Sequence, residues 1–562
     1  LKHYKKELVL GPFFKLLEAI FELIVPVVMA KIIDNGIGNN DSAYVWKMSG
    51  LIVVLGICGL GFALTCQFFA AKCAYGFGTE LRNELYKHIN RLSHAEIDKF
   101  GTSSLITRVT NDTVLAQNGV NMFIRLAVRA PFLIIGAAVM AMMLDLKLSI
   151  VFLIAAPVIT AIIVWVMKKT VPMYKRIQKG LDKISLLTRE NLEGVRVIRA
   201  FSKQDEEKKK FNEESQALAE SSIIAGKISA ILNPVTFMIM NLGIVAILWF
   251  GGIRVDTGHL TQGEITAFVN YMTQILLAMV VLANLVVVFT KAASSASRIN
   301  EVFETQPSII TGKDKAFDLS KPAIEFNNVS FEYPGAGDLS LENITFTLNR
   351  GEVLGVIGGT GSGKSTLANL VPRFYDISFG SIRIFGKNIK SYSLESLRKL
   401  IGVVPQKAAL FSGTVADNMR WAKPDASEDD IIKALKIAQA WEFVSKLPDG
   451  IHTHIEQGGK NLSGGQRQRL TIARALVGNP PVVILDDSMS ALDYATDLAL
   501  RKAIESELSD TAVIMISQRA TTLQNANEIL VLDDGKTAGF GTHSELLENC
   551  QEYLEIYNSQ MS

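Results

Sequence analysis

Residues 358–365 read Gly-Gly-Thr-Gly-Ser-Gly-Lys-Ser, and their context decides what the second half of the chain is. They fit the phosphate-loop pattern G-x-x-x-x-G-K-[ST]. Before them, Val353–Ile357 is a short apolar run that reads as a buried strand; after them, Ser365–Val371 has helix-compatible composition. Strand, glycine loop and helix start is the order in which such a loop can work. The glycines let successive backbone N–H groups turn inward around phosphates. Lys364 can reach the β- and γ-phosphates, and Ser365 can hold Mg²⁺. This reading assigns Gly358, Gly359, Thr360, Gly361, Ser362, Gly363, Lys364, Ser365 and Thr366 to a nucleoside triphosphate.

Downstream, Val482–Leu485 is a buried strand ending in Asp486, suited to orient the Mg²⁺ shell. Between the two lies Leu462-Ser463-Gly464-Gly465-Gln466, followed by a helical run. Ser463, Gly464 and Gly465 then sit at a helix N-terminus, a second anion-binding device. One chain does not need two such devices for one nucleotide. The second is therefore expected to serve a nucleotide held by another copy or a partner. Upstream, Tyr333 in Phe-Glu-Tyr-Pro is expected to stack on a base, although alone it would be an ordinary strand aromatic. From Ile324 onward β-rich runs alternate with helical ones, as in an α/β domain of about 240 residues. Composition shifts at Glu304–Pro322, so the expected bounds are 1–303, a linker at 304–323, and 324–562.

The first half differs in kind. At 562 residues the chain exceeds one core, and 49% apolar against 20% charged leans towards a membrane protein. The formal charge of +2 balances 57 basic and 55 acidic residues, so net charge carries no nucleic-acid signal. Of the four cysteines, Cys58, Cys66 and Cys73 share one apolar stretch and form neither a disulfide framework nor a metal motif.

Six apolar stretches are long enough to span a bilayer: about Leu10–Asp34, Met48–Ala71, Ile124–Leu144, Leu148–Met167, Ile231–Ile253 and Ile265–Phe289. The chain enters the first from Leu-Lys-His-Tyr-Lys-Lys without a clear cleavage site, which reads as an uncleaved span. The segments between spans two and three and between four and five run to about fifty and about sixty residues, rich in Lys and Arg. Both, with the Lys-rich N-terminus, are expected to face the cytoplasm, and their periodicity suggests that the spans continue as long helices. Glu18 and Glu22 lie one turn apart on one face of span one. They either contact a cationic substrate or pair with Lys15, Arg125 or Arg129. Asn270, Gln274 and Asn284 on span six either line a cavity or bond between helices, the second being the expectation.

These motifs together resemble one family. Walker A at Gly358–Ser365, Gln406 after a strand, the LSGGQ signature at Leu462–Gln466, Walker B at Val482–Asp486 and Ser-Ala-Leu-Asp at Ser490–Asp493 look like an ABC-transporter ATPase domain. A six-span α-helical transmembrane domain followed by an α/β ABC-type ATPase domain resembles an ABC exporter half-transporter. Phe100–Asp112 and Glu190–Phe201 resemble its two intracellular coupling segments. The resemblance implies that two such chains pair. Two ATP molecules with Mg²⁺ would then lie between one chain's Walker A and the other's signature, including Gln466. It also places Ser365, Gln406 and Asp486 at the metal and Gln406 in the catalytic shell.

Two positions depart from the family pattern. The catalytic Glu expected after Asp486 is Asp487, and the switch histidine expected after the strand Ala512–Ile516 is Gln518. Asp withdraws its carboxylate by one methylene, and a misplacement of about 1 Å can cost on the order of a hundredfold. Gln can bond the γ-phosphate but cannot carry the charge or relay the proton of His. With an intact signature, the chain resembles the first subunit of bacterial heterodimeric multidrug exporters. The expectation is one half of an ATP-driven heterodimeric exporter in the cell membrane. It would move amphipathic compounds or drugs outward, with its ATPase domain in the cytoplasm. A homodimeric exporter or lipid flippase using Asp487 as base, a peptide exporter and an ATP-gated channel or regulator stay open. Span six shows no regular basic row that would favour a channel.

Overall fold

A computed structural model describes residues 2–561. The chain divides into two compact units. One holds the residues up to Asn90 together with Ser103–Glu304; the other holds Arg91–Thr102 and the residues from Thr305 onward.

The first unit is a bundle of long helices: α1 (Lys5–Lys31), α2 (Ser42–Ile89), then, after α3 (His94–Phe100), α4 (Thr102–Leu144), α5 (Ile150–Glu193), α6 (Gln204–Asp256) and α7 (Gln262–Glu304). Five of them, α2, α4, α5, α6 and α7, are long and apolar enough to cross a membrane. The 27-residue α1 is not among them, because Lys15, Glu18 and Glu22 interrupt its apolar run. The 48 residues of α2 extend about 72 Å at a rise of about 1.5 Å each, over twice a hydrocarbon core of about 30 Å. Helices therefore continue well past the apolar stretches, as their periodicity indicates.

Small side chains let these helices approach. Ala130, Leu133, Ala137 and Ala141 recur on one face of α4 and are buried with Ala19 and Leu23 of α1 and Phe268, Tyr271 and Ile275 of α7. The buried Tyr271 hydroxyl donates to the Leu23 carbonyl at 2.7 Å, which ties α7 to α1. The short connections are tied as well. Asp34, just past α1, accepts from Thr261 Oγ1 at 2.6 Å and from the Gly263 N–H at 2.8 Å, so a carboxylate caps the N-terminus of α7. A Cβ at Gly263 would lie 2.2 Å from the Ala30 carbonyl oxygen, so only glycine permits this approach. Asp145, after α4, pairs with Arg254 near the end of α6. Glu18 pairs with Lys15 and Glu22 with Arg129, each at 2.6 Å, so two of the candidate structural partners are taken. Asn270 donates to its own helix at Thr266, not across helices.

In the second unit the parallel core strands are apolar apart from Asp486 at the end of one and Glu528 and Asp533 at the ends of another. Strands are β1 (Ile324–Phe331), β2 (Leu341–Leu348), β3 (Val353–Gly358), β4 (Phe379–Ile384), β5 (Lys387–Asn388), β6 (Ile401–Val404), β7 (Gly413–Thr414), β8 (His454–Ile455), β9 (Val482–Asp486), β10 (Ala512–Ile516), β11 (Glu528–Asp533) and β12 (Lys536–Gly541). Six of them form a sheet in the order β12-β11-β3-β10-β9-β6, parallel except for β12. β9 and β10 are buried at every position, the pattern of strands covered on both faces. A four-stranded antiparallel sheet, β2-β1-β4-β5, shares a core with β3 and the helix Lys364–Leu370 through Phe326, Phe346, Val356 and Leu367.

The boundary between the two units falls inside the first stretch read as a coupling segment, Phe100–Asp112: Arg91–Thr102 clusters with the second unit and the residues from Ser103 with the first. Within Arg91–Thr102, Ser93 and Glu96 form a capping box that starts α3. His94 stacks on Phe374 with ring centroids 4.5 Å apart, and Tyr375 donates to Asp98 at 2.6 Å. Residues after Thr102 belong to the helical unit, where Asp112 is fully buried and accepts from Arg298 at 2.8 Å and from Ser295 at 3.1 Å. The reason is chemical: Asp112 satisfies its charge on α7, whereas Ser93, His94 and Asp98 carry groups matched to Ile309, Phe374 and Tyr375. In the second segment, Gly194 breaks α5 and a short exposed helix, Val195–Ala200, follows.

Candidate functional site

The C-terminal ends of parallel strands bring the candidate residues together, where open α/β sheets place ligands. β3 ends at Gly358, β9 at Asp486 and β10 at Ile516, with Asp486 directly opposite Ile516 in register. β6 ends at Val404, two residues before Gln406.

The glycine loop leaves β3 and enters the helix Lys364–Leu370. Gly361 and Gly363 have φ of +87° and +96°, in the left-handed region that favours glycine. A Cβ at Gly359 or Gly361 would meet nothing within 4 Å, so the loop presents bare backbone to an open cradle. Lys364 is buried, and its ammonium donates back to the carbonyls of Gly358 at 2.9 Å and Gly359 at 2.5 Å and to Ser362 Oγ at 3.3 Å. Burial lowers its pKa, against the pull of the Asp487 and Asp486 carboxylates. An ammonium folded onto its own loop in this way is placed to turn towards phosphate oxygens.

Ser365 Oγ donates to Asp486 Oδ1 at 3.1 Å. Burial raises the Asp486 carboxyl above its ordinary value, and the Ser365 hydroxyl opposes that rise. One hydroxyl, one carboxylate and phosphate oxygens are a donor set that suits Mg²⁺, which keeps several waters and takes few protein ligands. Among the described residues there is no cluster of three His, Cys, Asp or Glu that could hold a metal ion.

Asp487 departs from ordinary backbone. Its φ is +44°, rare for a residue with a side chain and frequent at functional turns. Its N–H donates to the Ile516 carbonyl at 3.1 Å, and its Oδ2 accepts from Gln406 Nε2 at 3.2 Å. Gln406, Asp486, Asp487, Lys364 and Ser365 thus form one neighbourhood. Gln518 follows β10 on an exposed loop, and with Asp487, Ser490 and Arg519 it lines a cavity of about 350 Å³.

Tyr333 lies beside the loop. Its hydroxyl is 3.2 Å from Thr366 Oγ1 and its ring meets Phe331 and Tyr375 edge-on.

The signature is not part of this cluster. Ser463 and Gln466 close a capping box, Ser463 N–H to Gln466 Oε1 at 2.8 Å and Gln466 N–H to Ser463 Oγ at 3.3 Å, which starts the helix Gly464–Leu476. Ser463 and Gly464 are exposed, and a Cβ on Gly464 would meet nothing within 4 Å. Gly465 abuts the Ala491 carbonyl of the Ser490–Asp493 turn. Among the described residues no hydrogen bond joins the signature to the glycine loop of the same chain.

One residue of the site carries no motif. Gln560, on the terminal helix Gln551–Met561, donates through Nε2 to the Gln518 carbonyl at 2.7 Å and accepts at Oε1 from the Ala520 N–H at 2.9 Å. It spans the loop that holds Gln518 and lines the same cavity. No spacing or composition signal marks it, because the contact joins residues 42 apart through tertiary packing.

Comparison with known proteins gives a consistent picture. Residues 8–279 match the family described as ABC transporter transmembrane region, and residues 341–490 match that described as ABC transporter. The chain is 38% identical to "Uncharacterized ABC transporter ATP-binding protein YfiB" of Bacillus subtilis (strain 168), over 97% of this chain and 95% of that one. It is 32% identical to "ATP-dependent lipid A-core flippase" of Haemophilus influenzae (strain 86-028NP), over 100% of this chain and 96% of that one. A solved structure of a bacterial Atm1-family ABC exporter with ATP bound shares the fold, with a TM-score of 0.82 at 22% identity, covering 99% of this chain and 98% of that one.

Proposed function

This chain belongs to the ABC transporter family, and from that premise we propose that it is one half of a heterodimeric exporter whose own Walker site binds ATP and hydrolyses it poorly. It is a transport ATPase and a multi-pass membrane protein with a cytoplasmic ATPase domain. The proposal adds six spans, with α1 as the sixth: its charges are neutralised in Lys15–Glu18 and Glu22–Arg129 pairs, which lowers the cost of a place in the bilayer. It also adds the bounds 1–303, 304–323 and 324–562 for membrane domain, linker and ATPase domain.

The observation that carries the reading is the occupancy of two hydrolytic positions. Asp487 stands where the family has Glu, with its short carboxylate engaged by Gln406, and Gln518 stands where the family has His. The glycine loop, Lys364, Ser365 and Asp486 keep what is needed to hold ATP with Mg²⁺. When bound, Mg²⁺ would neutralise phosphate charge from Ser365, Gln406 and Asp486. The exposed signature, unbonded to its own glycine loop, supports a role at the site of a partner half-transporter. Amphipathic compounds or drugs, moved outward, are the substrate class.

Steady-state ATPase of the purified pair tests this. Gly464→Asp puts bulk and charge into the partner's phosphate site and is expected to lower turnover by about 100-fold or more. Asp487→Asn is expected to lower it by less than about threefold, because that carboxylate already sits a methylene short. Equal silencing by both substitutions would overturn the reading.

A homodimeric lipid flippase using Asp487 as base is the second reading, favoured by the similarity to lipid A-core flippases. Full substrate-stimulated ATPase from this chain purified alone would select it.

A further inference from the structure

We propose that one face of α5 binds the headgroups of anionic phospholipids in the cytoplasmic leaflet, through Lys168, Lys169, Lys175 and Arg176. The ATPase domain is cytoplasmic and follows α7. With one crossing each for α7, α6 and α5, the C-terminal end of α5 therefore lies in the cytoplasm. α5 is one continuous helix, and at about 100° per residue its positions sort onto distinct faces. Phe152, Ala155, Ile159, Ile163, Val166 and Thr170 are buried and share an arc of about 80°. Opposite them, Ile150, Ile154, Val158 and Trp165 are exposed, an apolar face without a partner in this chain. Within one turn after Trp165 the same face becomes basic. Lys168, Lys169, Lys175 and Arg176 are exposed and lie within about 120° of arc, centred on that apolar face. Tyr174 points away from it and meets Ser229 of α6 at 3.4 Å.

Lysines on a long helix are ordinarily a solvated surface. Here one face changes from apolar to basic at the depth where hydrocarbon gives way to headgroups, and that selects lipid. Among the described residues none of the four is paired with a carboxylate, whereas Lys183, farther along, is held by Glu214. Direction adds to this. Side chains on a helix tilt towards its N-terminus, which for α5 lies across the bilayer, so all four lean back to the membrane. Arg176 lies about 14 Å past Met167 along the axis at about 1.5 Å per residue. A backward reach of about 7 Å brings its guanidinium to a headgroup layer about 5–8 Å deep. Ammonium and guanidinium groups there donate to the lipid phosphate oxygens. A phosphatidylcholine headgroup carries its own cation and leaves no net charge to pair, so the preference is for anionic lipid.

The test uses the assembled transporter in nanodiscs made from one mixture of phosphatidylcholine and phosphatidylglycerol. In one set the phosphatidylglycerol chains are brominated, in the other the phosphatidylcholine chains. Bromine quenches a nearby indole, and the signal of Trp165 is the difference between wild type and Trp165→Phe. Wild type should show phosphatidylglycerol enriched about tenfold or more over bulk at Trp165, at up to about fivefold per basic residue near the surface. High salt should reduce that enrichment. Lys168→Gln with Lys169→Gln should lower it by about fivefold or more, and adding Lys175→Gln and Arg176→Gln should bring it close to bulk. Lys208→Gln with Lys209→Gln removes the same charge as the first pair, but about 35 Å from the start of a span at Ile231, and should change nothing. If the variants do not assemble, enrichment in wild type and its loss at high salt decide. Bulk composition at Trp165 in wild type, enrichment that survives the combined substitution, or equal loss in the distant pair would overturn the proposal. So would a Trp165 that neither lipid quenches, which would put the partner half-transporter over this face.

Discussion

Asp487 and Gln518 stand where the resemblance leads one to expect Glu and His, differences of a methylene and of a titratable ring. What the letters do not show is how the surrounding residues hold them. Gln560 bonds both sides of the Gln518 turn at 2.7 and 2.9 Å, so the last helix holds the loop that carries Gln518. Gln560→Ala should release nucleotide from this chain's Walker site about five- to tenfold faster, at about 1 kcal/mol for the bonds lost. Gln560→Glu keeps the acceptor for Ala520 and should recover part of the retention. Release of pre-bound labelled ATP from the assembled pair is the measurement, and an unchanged rate in Gln560→Ala would remove its positioning role. Lys364→Ala should weaken ATP retention at the same site without abolishing turnover of the pair, since the partner's site keeps its own lysine. Complete loss of ATPase with assembly preserved would count against a mainly regulatory site.

At the scale of elements, helix ends and short helices fix the geometry. Asp34 caps α7 across the bundle, and Gly263 lets the two backbones meet. Gly263→Val would drive side-chain atoms into the Ala30 carbonyl and should destabilise the membrane unit by about 1–3 kcal/mol. Gly226→Ala, where a Cβ meets nothing within 4 Å, should leave it unchanged or slightly raised. Thermal melts in detergent compare the two, and equal melting temperatures would contradict the close approach. α3 shows the converse, an element whose partner is remote in sequence. Tyr375→Phe removes the bond to Asp98 and should reduce substrate stimulation of ATPase while basal turnover persists. Retained stimulation would mean that the stacking of His94 on Phe374 suffices.

For the whole molecule, charge asymmetry predicts which ends face which side. The connections near Asn39, Lys147 and Thr257 are short and close to the tied ends at Asp34, Asp145 and Arg254. Single cysteines at those three positions should react with an impermeant reagent in intact cells, and Lys209→Cys should not. The opposite pattern would invert the topology. The proposed reading makes a related point about assembly: with the exposed signature serving a partner's nucleotide, each site would be completed by a second chain.

The nature of the two units was legible in the sequence because it follows from local chemistry. Apolar runs of bilayer length, a glycine loop between strand and helix, and Lys and Arg concentrated in the long connections each act within a few residues of themselves. Helix continuation past the membrane and the strand ends carrying Gly358 and Asp486 were readable for the same reason. Tertiary structure alone decided three other matters. It paired Glu18 with Lys15 and Glu22 with Arg129. It put the boundary between the units inside Phe100–Asp112, with Arg91–Thr102 in the second unit and Asp112 bonded to Arg298 in the first. It brought Gln560 to the loop that holds Gln518. Each of these depends on which polar groups lose water together when distant helices pack, and that pairing is a property of the packed chain, with no local pattern to announce it.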